Sequence, residues 1–588
     1  MGRIIGIDLG TTNSCMAYLE GGQPKVIPNL DGLPTTPSVI SFPGNNEELI
    51  GDLALRQATT NPNNTVLSIK RIIGKKFDSK EVKDTIKKMA YKLSEAPNGD
   101  VMVSLDSLLV SPQEISAKIL SYLKECAESF FGEEVTEAII TVPANFDDHQ
   151  RKATKDAATI AGIETLRIIN EPTSASLAYG LNKEINATVA VYDMGGGTFD
   201  ITLLEISEGV FHVLATNGNS FLGGEDIDNI IVDWLIDEFK KEHNTDLSQD
   251  ILVRQRIKEA AEKAKRELSF SLESEIHLPF IRSEQDGSKH IKKTLTRELL
   301  ESLANDLIAK TFPFVERAIQ DSKLNPGDID EVILVGGQTR MPLIKKMIAD
   351  FFGKKPIESI NPDEIVALGA AVQAGILKDK MEESVVLLDV TPLSLGIETE
   401  NDTFIKLIER NTTIPTSKKR PFTTVRHNQR RVRVHVLQGE SEKASGNMSL
   451  AKFDLVGIEP APGGVPQIDV TFDIDADGIV KVSAKDVKAG RVQKILVKPS
   501  SGLTPEEIDE IIEKAQSKEF EEEEEEEREE ERETKEIEIE ETEEEEETEE
   551  EEETEEEEET EEEEETEEAE KEEIKKEEIK KEEDKEEK

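Results

Sequence analysis

Two carboxylates and three glycines stand close together between residues 189 and 206. In the segment VAVYDMGGGTFDITLLEI, Asp193 ends one alternating apolar stretch and Asp200 opens the next, with the glycines between them. Glycine has no Cβ atom, so its backbone N–H groups can approach a phosphate closely. A carboxylate beside a phosphate is repulsive unless a cation lies between them, and magnesium commonly joins the two. The segment therefore predicts a phosphate site that uses a metal, and a plain glycine-rich hairpin is the alternative.

The stretches on both sides of the glycines alternate with a period of two. This period indicates strand, turn, strand, whereas a Walker-type phosphate site is built as strand, loop, helix. No G-x-x-x-x-G-K-[ST] sequence occurs anywhere in the chain. The ordinary P-loop is therefore excluded.

The first twenty residues repeat this pattern. The segment MGRIIGIDLGTTNSCMAYLE places Asp8, Gly10 and two threonines between two strand-like stretches. Two hairpins of one kind suggest an internal duplication. After the hairpins, matching helix, strand and helix patterns follow at 115–132, 137–146 and 147–162, and again at 299–321, 330–340 and 341–353. Two such α/β halves facing each other would leave a cleft with one aspartate-bearing turn on each wall, which suits a polyphosphate and its metal.

The acidic charge of the chain is concentrated at one end. The 588 residues carry a formal net charge of −55, and residues 521–588, with 47 acidic and 10 basic side chains, account for −37 of it. This Glu-rich segment has few apolar residues and repels itself, so we expect it to be disordered. Its last stretch carries Ile574 and Ile579 with opposite charges at helical spacing, which favours transient helix there.

The compartment can be inferred from the cysteines and the hydropathy. The two cysteines, Cys15 and Cys126, lie in separate predicted elements and cannot form a disulfide framework, which favours a reducing compartment. The first residues read as a core strand rather than a signal peptide, and no run of about eighteen apolar residues predicts a membrane span. We therefore expect a soluble, cytoplasmic protein with no membrane or nucleic-acid partner.

Longer segments carry a family resemblance. They are IGIDLGTTNSC (5–15), NPNNTVLSIKRIIG (61–74), ITVPANFDDHQRKATKDAATIAG (140–162), RIINEPTSASLAYG (167–180), VYDMGGGTFDITL (191–203) and VILVGGQTRMP (332–342). In this order they resemble the DnaK family of bacterial seventy-kilodalton heat-shock chaperones, and the likeness extends from residue 1 to about residue 515.

The resemblance implies a particular domain organisation. An α/β actin-like ATPase domain, duplicated into two lobes around a cleft, is expected at 1–377, followed by an interdomain linker at 378–390. An all-β sandwich that binds peptides is expected at 391–500, a residual lid helix at 501–520 and the disordered Glu-rich tail at 521–588. The long helical lid of the family is missing, which makes this a lid-truncated, acidic-tailed variant.

The resemblance also implies roles for individual residues around ATP. The phosphate cradle would be Asp8, Gly10, Thr11, Thr12, Gly195, Gly196, Gly197 and Thr198. Magnesium would be held through water by Asp8, Glu171 and Asp193, and potassium by Asp193 and Asp200. Lys70 would position the attacking water, with Glu171, Asp193 and Thr198 as further catalytic residues. The adenosine side would be Glu262, Lys265, Arg266, Ser269, Gly336, Gly337, Arg340 and Asp363, with Arg266 and Arg340 stacking on the adenine.

A short apolar segment is implied to couple the two domains. It comprises Val385, Val386, Leu387, Leu388 and Asp389, and in the family it docks on the ATPase domain when ATP is bound. Pro143 and Glu171 would relay the nucleotide state. Taken alone, this apolar segment is equally well the first strand of the next domain.

Period-two alternation dominates after Thr391, and it predicts a β-sandwich. By resemblance its peptide groove would use Ile397, Phe422, Val432 and Val434, although alternating valines are also what any sandwich core buries. Glu400, Thr403 and Val425 depart from the residues usual around the groove. Thr504, Pro505 and Glu507 form a capping-box pattern that predicts the start of one further helix.

The resemblance implies an ATP-dependent chaperone, with ATP, Mg²⁺ and K⁺ as cofactors. Its partners would be unfolded apolar polypeptides, a J-domain co-chaperone and a GrpE-like nucleotide exchange factor. Two alternatives stay open: a small-molecule kinase of the actin superfamily, and an acidic-tailed co-chaperone with little ATPase cycling. A further hypothesis is that the acidic tail covers the basic face of the sandwich, and the alternative is that it only confers solubility.

Overall fold

The computed structural model describes residues 3–44, 47–106, 108–181, 186–284, 287–357, 360–378, 385–487, 492–493, 501–517, 560, 565–581 and 585. Residues Met1–Ile508 form one compact unit and residues Asp509–Lys588 form a second. Among the described residues, no helix has both the length and the apolar character needed to cross a membrane.

The first α/β half begins with a mixed sheet. Its elements are β1 (Arg3–Asp8), β2 (Asn13–Glu20), β3 (Gln23–Ile27), β4 (Thr36–Pro37), β5 (Ile40–Gly44), β6 (Glu47–Ile50), α1 (Asp52–Gln57), β7 (Thr65–Val66), α2 (Lys80–Ile86), β8 (Lys92–Glu95), β9 (Val101–Ser104), β10 (Leu109–Val110), α3 (Pro112–Phe131), β11 (Val135–Val142), α4 (Asp148–Ile160), β12 (Glu164–Asn170) and α5 (Glu171–Gly180).

The second half repeats the plan. Its elements are β13 (Ala187–Met194), β14 (Phe199–Ser207), β15 (Val210–Asn219), α6 (Gly224–His243), α7 (Ile251–Glu267), β16 (Glu273–Glu284), β17 (Gly287–Thr296), α8 (Arg297–Ala309), α9 (Phe312–Ser322), β18 (Glu331–Val335), α10 (Pro342–Phe352) and α11 (Ile365–Leu377).

Sheet topology is consistent with the internal duplication. The first sheet has the order β12-β11-β1-β2-β3, and the second runs β18-β13-β14-β15 before it continues. In both, the first strand of the hairpin pairs in parallel with a later strand, β11 or β18, and antiparallel with its hairpin partner. Both hairpins are strand, turn, strand, as the period of two predicted. Helices α5 and α11 are linked where Ser174 Oγ donates to the carbonyl oxygen of Val366 at 2.7 Å.

One predicted helix is divided in the structure. The stretch 299–321 was expected to be a single helix, but it forms most of α8 and most of α9, with a break at Lys310 and Thr311. Pro313 lies in the first turn of α9, where its missing N–H group costs nothing, so it starts a new helix rather than continuing the old one.

The remaining elements follow the second half. They are β19 (Val386–Val390), β20 (Leu395–Thr399), β21 (Thr403–Ile408), β22 (Thr413–Ile414), β23 (Thr416–Thr423), β24 (Arg431–Gln438), β25 (Met448–Val456), β26 (Gln467–Ile474), β27 (Val480–Asp486) and β28 (Val492–Gln493), then helices α12 at 505–517 and α13 at 565–581.

Two four-stranded sheets, β21-β20-β24-β25 and β23-β26-β27-β28, form the expected all-β region. Their inward residues share one hydrophobic cluster that includes Leu395, Val436, Ile468 and Phe472. This is the arrangement of a β-sandwich.

The capping box before α12 is present. The Thr504 N–H donates to Glu507 Oε2 at 2.7 Å, and the Glu507 N–H donates to Thr504 Oγ1 at 3.2 Å. These bonds satisfy N–H groups that have no partner within the helix.

The Glu-rich tail differs in part from the expected disorder. Residues 565–581 are helical, with ion pairs four residues apart such as Lys571–Glu567 and Lys576–Glu572, so the helical spacing was the better guide there. The expectation of disorder for 521–559 lies outside the described residues.

Candidate functional site

A cavity of about 830 Å³ lies between the two halves. Both hairpin turns line it, together with the loop after β18 and the helix α7. The predicted residues on its wall are Asp8, Gly10, Thr11, Thr12, Lys70, Glu171, Asp193, Gly195, Gly196, Thr198, Glu262, Lys265, Arg266, Ser269, Gly336, Gly337, Arg340 and Asp363. Gly197 and Asp200 are not among the lining residues. The structure thus brings together residues from seven separate stretches of the chain.

Strand ends position the aspartates. Asp8 is the last residue of β1, and Thr141 Oγ1 on the neighbouring β11 donates to Asp8 Oδ1 at 3.1 Å. Asp193 and Asp200 face each other across the β13–β14 hairpin, and the Asn145 N–H donates to Asp200 Oδ1 at 3.1 Å. The register of the two sheets therefore fixes all three carboxylates at the cavity or just behind its wall.

The glycines allow the two turns to approach each other. A Cβ atom added at Gly196 would lie 1.9 Å from Thr12 Oγ1, and one at Gly197 would lie 2.5 Å from Thr11 Cγ2. A Cβ atom at Gly195, in contrast, would meet nothing within 4 Å. The buried Thr12 Oγ1 has no hydrogen-bond partner among the described residues. An unpaired buried hydroxyl beside bare backbone fits a site that receives a polar ligand such as a phosphate.

Gly336 serves a different purpose from Gly195. It has a φ of +79°, and an added Cβ atom would lie 2.5 Å from the backbone of Met194. We predict that Gly336→Ala lowers the free energy of unfolding of the nucleotide-free protein by roughly 2 kcal/mol, because left-handed strain adds to the clash. Gly195→Ala should leave that stability unchanged and weaken ATP binding about tenfold or more, because its new methyl group points into open space in the cavity. Denaturant unfolding and ATP titration of both variants would test this pair.

Several carboxyl groups lie close together in and behind the cavity wall. Burial, followed by the neighbouring Glu171, raises the pKa of Asp8 to about 7. Burial, Glu171 and Asp200 raise the pKa of Asp193 well above its ordinary value, and burial and Glu171 do the same to the pKa of Asp200. Buried carboxylates that repel one another are stabilised by a bound cation. The residues present therefore fit magnesium with a phosphate ligand.

Among the described residues, no three His, Cys, Asp or Glu side chains are grouped closely enough to hold a metal ion between them directly. Magnesium often keeps several of its waters when protein carboxylates hold it.

Lys70 contributes a buried cation to this wall. The residue is only 5% exposed, and its ammonium group pairs with Glu171 Oε1 at 2.5 Å and donates to the carbonyl oxygen of Leu9. Lys70 comes from a 3₁₀ turn in the first half, and Glu171 is the first residue of α5. A buried ammonium group therefore lies on the same cavity wall as Asp8 and Asp193.

The residues predicted for the adenosine side lie on α7 and in the loop after β18. Lys265 Nζ pairs with Asp228 at 2.8 Å and donates to the carbonyl oxygen of Gly224 at 3.0 Å. Arg340 pairs with Asp363 Oδ2 at 2.5 Å. Arg266 is largely exposed and pairs with Glu262 at 3.8 Å.

Contacts between the halves beside the cavity were not predicted. Arg71 is buried and donates from Nε and Nη2 to the carbonyl oxygen of Gly197 at 3.2 and 3.1 Å, and it pairs with Asp226. Ser68 Oγ donates to Glu225. The only sequence signal was the position of Arg71 next to Lys70, because a contact across more than a hundred residues leaves no local pattern.

The linker segment forms β19 and lies between two other strands. Val386–Val390 pairs in parallel with β15 of the second half and antiparallel with β22 of the following region. Leu387 packs against a hydrophobic cluster to which both halves contribute, and Thr173 Oγ1 donates to buried Asp389 Oδ2 at 3.1 Å. The segment is therefore a strand shared by both regions. Of the predicted linker residues before this strand, Lys378 and Val385 are described, and residues 379–384 lie outside the described part of the chain.

The sandwich also contacts the first half directly. Asp477, in the turn between β26 and β27, pairs with Lys155 at 2.7 Å and accepts from the Ile168 N–H at 3.1 Å. Asp148 Oδ1 accepts from the Val480 N–H at 2.7 Å. Pro143 is buried at the end of β11, shortly before α4, the helix that carries these contacts.

The predicted groove residues divide into two pairs. Ile397 and Val434 are buried in the sandwich core, whereas Phe422 and Val432 are half-buried at its edge. In this conformation only the second pair is placed to touch a ligand. Val425, one of the departures noted in the sequence, is 60% exposed.

The fold and the site together define a two-lobed α/β nucleotide-site region joined by a strand to a β-sandwich. The family model described as Hsp70 protein matches residues 4–588. The chain therefore belongs to the Hsp70 family, whose members are ATPases that bind ATP with Mg²⁺ and act as ATP-dependent chaperones. Members of this family work with unfolded peptides, J-domain proteins and nucleotide exchange factors.

Proposed function

We propose that this chain hydrolyses ATP in the cavity between its two α/β halves and that the nucleotide state controls how its sandwich binds unfolded apolar peptides. The observation that carries the proposal is the shared strand β19. It pairs with the half that holds Asp193 and with the region that holds Phe422. Through one continuous sheet, a change of nucleotide in the cavity can therefore reach β22, the strand directly before β23 of the sandwich.

Different residues of the cavity have different roles in binding and hydrolysing ATP. Backbone N–H groups of the glycine turns and the hydroxyl groups of Thr11, Thr12 and Thr198 bind the phosphates. Asp8, Glu171 and Asp193 would hold the magnesium through its waters, and Asp193 and Asp200 would hold a potassium ion. Magnesium, when bound with ATP, supplies positive charge beside the phosphates. Lys70 orients the attacking water, and Arg266 and Arg340 enclose the adenine.

Two other functions are less well supported. A small-molecule kinase of the actin superfamily would need the cavity but would have no use for β19 or the sandwich. An acidic-tailed co-chaperone with little ATPase cycling would have no need for a buried Lys70–Glu171 pair. We infer that a J-domain protein and a GrpE-like exchange factor act on this chain, as they do in its family, and that it is a DnaK-like member without the long lid.

The proposed function is tested by single-turnover ATP hydrolysis with and without an apolar peptide and a J-domain protein. We expect slow basal hydrolysis that both additions accelerate. A rate that responds to neither, or hydrolysis that transfers phosphate to a small molecule, would contradict the proposal.

Docking of the sandwich on the first half should depend on Asp477. Asp477→Ala removes an ion pair with Lys155 and a charged acceptor for the Ile168 N–H group, so we expect docking to weaken about tenfold or more, since charged hydrogen bonds contribute about 1.5–3 kcal/mol each. Protease cleavage within β19, in the presence of ATP, measures docking. Asp473→Ala is the matched control, because Asp473 accepts from Ser417 Oγ within the sandwich. Equal cleavage of the two variants would contradict the prediction.

A further inference from the structure

The sandwich carries an unusual concentration of positive charge for so acidic a protein. Residues 418–433 contain seven Lys or Arg side chains and no Asp or Glu, in a chain of net charge −55. We call these seven side chains the basic rim: Lys418, Lys419, Arg420, Arg426, Arg430, Arg431 and Arg433. All seven are exposed. The rim extends along β23, through the following loop and into β24.

The basic rim encloses the two half-buried groove residues. On β23, Phe422 pairs with buried Ile468 and Arg420 with buried Val470, so Phe422 and Arg420 point to the same, inner face. The guanidinium group of Arg420 lies 5.9 Å from the ring centre of Phe422. Positive charge therefore lies directly beside one apolar position that is placed to touch a peptide.

The same arrangement recurs on β24. Val432 pairs with buried Leu455 and points inward, while Arg431 and Arg433 alternate to the outer face on either side of it. Val432 thus has a cation on each side of it along β24, and Phe422 has Arg420 two residues before it on β23.

Only part of this charge is neutralised within the protein. Lys419 pairs with Asp469 at 2.7 Å, and Asp454 pairs with Arg433 at 3.1 Å and with Arg431 at 3.5 Å. Within the described part of the chain, no carboxylate forms an ion pair with the other four side chains of the rim, which are Lys418, Arg420, Arg426 and Arg430. These four cations are available to an acidic ligand.

An apolar patch adjoins the unpaired cations. Val425 is 60% exposed and Val465 is 47% exposed. Their loops are joined, because the Gly464 N–H donates to the Thr424 carbonyl oxygen at 2.8 Å and the Asn428 N–H donates to the Ala461 carbonyl oxygen at 2.8 Å. The surface around the groove therefore offers apolar contact surrounded by positive charge.

We propose that the sandwich selects apolar peptide segments whose flanking residues are acidic. This inference rests on the proposed function and names the class of peptide that this chain captures. The apolar core of the peptide lies against Phe422 and Val432, and its Glu or Asp flanks pair with the unpaired cations of the basic rim. Complementary charge of this kind favours the right partner and disfavours one with basic flanks.

The test uses the full chain and labelled peptides that share a Leu-Leu-Val-Leu core flanked by short runs of glutamate, glutamine or lysine. Fluorescence anisotropy with ADP and Mg²⁺ gives the three dissociation constants. We expect the Glu-flanked peptide to bind about tenfold more tightly than the Lys-flanked one at about 0.05 M salt, and this ratio to fall towards one at about 0.5 M, because exposed charges are screened.

Two sets of substitutions distinguish an effect of the basic rim from an effect of the total positive charge of the sandwich. The combined change Lys418→Gln, Arg426→Gln and Arg430→Gln should abolish the preference between flanks and leave the affinity for the Gln-flanked peptide unchanged. The control changes the same number of exposed lysines elsewhere on the sandwich: Lys443→Gln, Lys452→Gln and Lys485→Gln. It should retain the preference.

Three outcomes overturn the inference. Equal affinity for all three peptides, or tighter binding of the Lys-flanked one, overturns it and leaves the proposed function intact. Failure of every peptide to bind overturns both. If the Glu-flanked peptide binds tightly only to a chain that ends at Phe520, the acidic ligand of the rim is the chain's own tail and not a client peptide.

Discussion

Lys70→Ala is expected to abolish ATP hydrolysis while ATP still binds. The ammonium group of Lys70 is buried in the cavity wall, pairs with Glu171 at 2.5 Å and lies on the same wall as Asp8 and Asp193. Under the proposed function, it stabilises charge on the terminal phosphate and orients the attacking water. Losing one positioned donor of this kind typically lowers kcat by about 100-fold to 1,000-fold.

Binding should survive the same change because it is spread over many groups. The glycine turns, the threonine hydroxyls and α7 all line the cavity, and none of them depends on the charge of Lys70. An interaction made mainly in the transition state contributes to kcat and not to ground-state affinity. Single-turnover hydrolysis and ATP titration measure the two quantities separately.

The control for Lys70→Ala must exclude misfolding. Removing a buried cation leaves Glu171 without its partner, which costs stability. Lys70→Gln, which retains most of the side-chain volume, should lose hydrolysis equally, and both variants should show a cooperative thermal transition that ATP shifts upwards. Lys87→Ala, at an exposed lysine paired with Asp84, should behave as the unchanged protein does. Hydrolysis at the unchanged rate in Lys70→Ala would show that the role assigned to Lys70 is wrong.

Local pattern was enough to predict the hairpins of the cavity. Strand period, glycine runs and an aspartate at the strand end are all visible within about twenty residues, and the structure has strand, turn, strand at both places. The division between α8 and α9 was missed because apolar residues continue at helical spacing across Thr311. Proline is common in the first turn of a helix, so Pro313 could have indicated that a new helix begins there.

Other parts of the site could not be predicted from pattern. Arg266 lies on a helix whose exposed face resembles any solvated face, so only the family resemblance assigned it to the nucleotide. The pairing of Arg71 with Asp226 joins residues far apart in the chain, and nothing in the sequence near either one records it. In the sandwich, alternation could not separate buried Val434 from half-buried Val432, because both point inward and differ only in what covers them.

The linker prediction follows from the strand shared by the two regions. Changing Leu387 and Leu388 together to aspartate is expected to leave basal ATP hydrolysis active and to remove its acceleration by peptide. Leu387 pairs with Phe211 and Leu388 pairs with His212 on β15, and Leu387 packs on a hydrophobic cluster to which both halves contribute. Charged side chains there cannot enter an apolar contact without losing their hydration, so the docked strand becomes unfavourable.

Coupling needs a contact that differs between two states of the protein. Peptide binding can change the rate of hydrolysis only if it shifts the equilibrium between docked and undocked linker. Both leucines are half-buried, so each contributes about 1 kcal/mol to that equilibrium, roughly half of what full burial contributes. Replacing both with aspartate, which also costs the dehydration of two carboxylates, should bias the equilibrium by about thirtyfold or more, which is as large as typical coupling free energies. The stimulation should therefore fall to a factor of one.

Val386→Asp is the matched control, because Val386 is 44% exposed although it lies in the same strand. It adds a charge at the same place but should retain most of the stimulation by peptide. The measurement is the ratio of single-turnover rates with and without saturating apolar peptide for the unchanged chain, the double variant and the control. Stimulation that persists in the double variant would show that β19 does not carry the coupling. Its loss in Val386→Asp as well would show that net charge in the strand, rather than burial of the two leucines, is what the ATPase halves respond to.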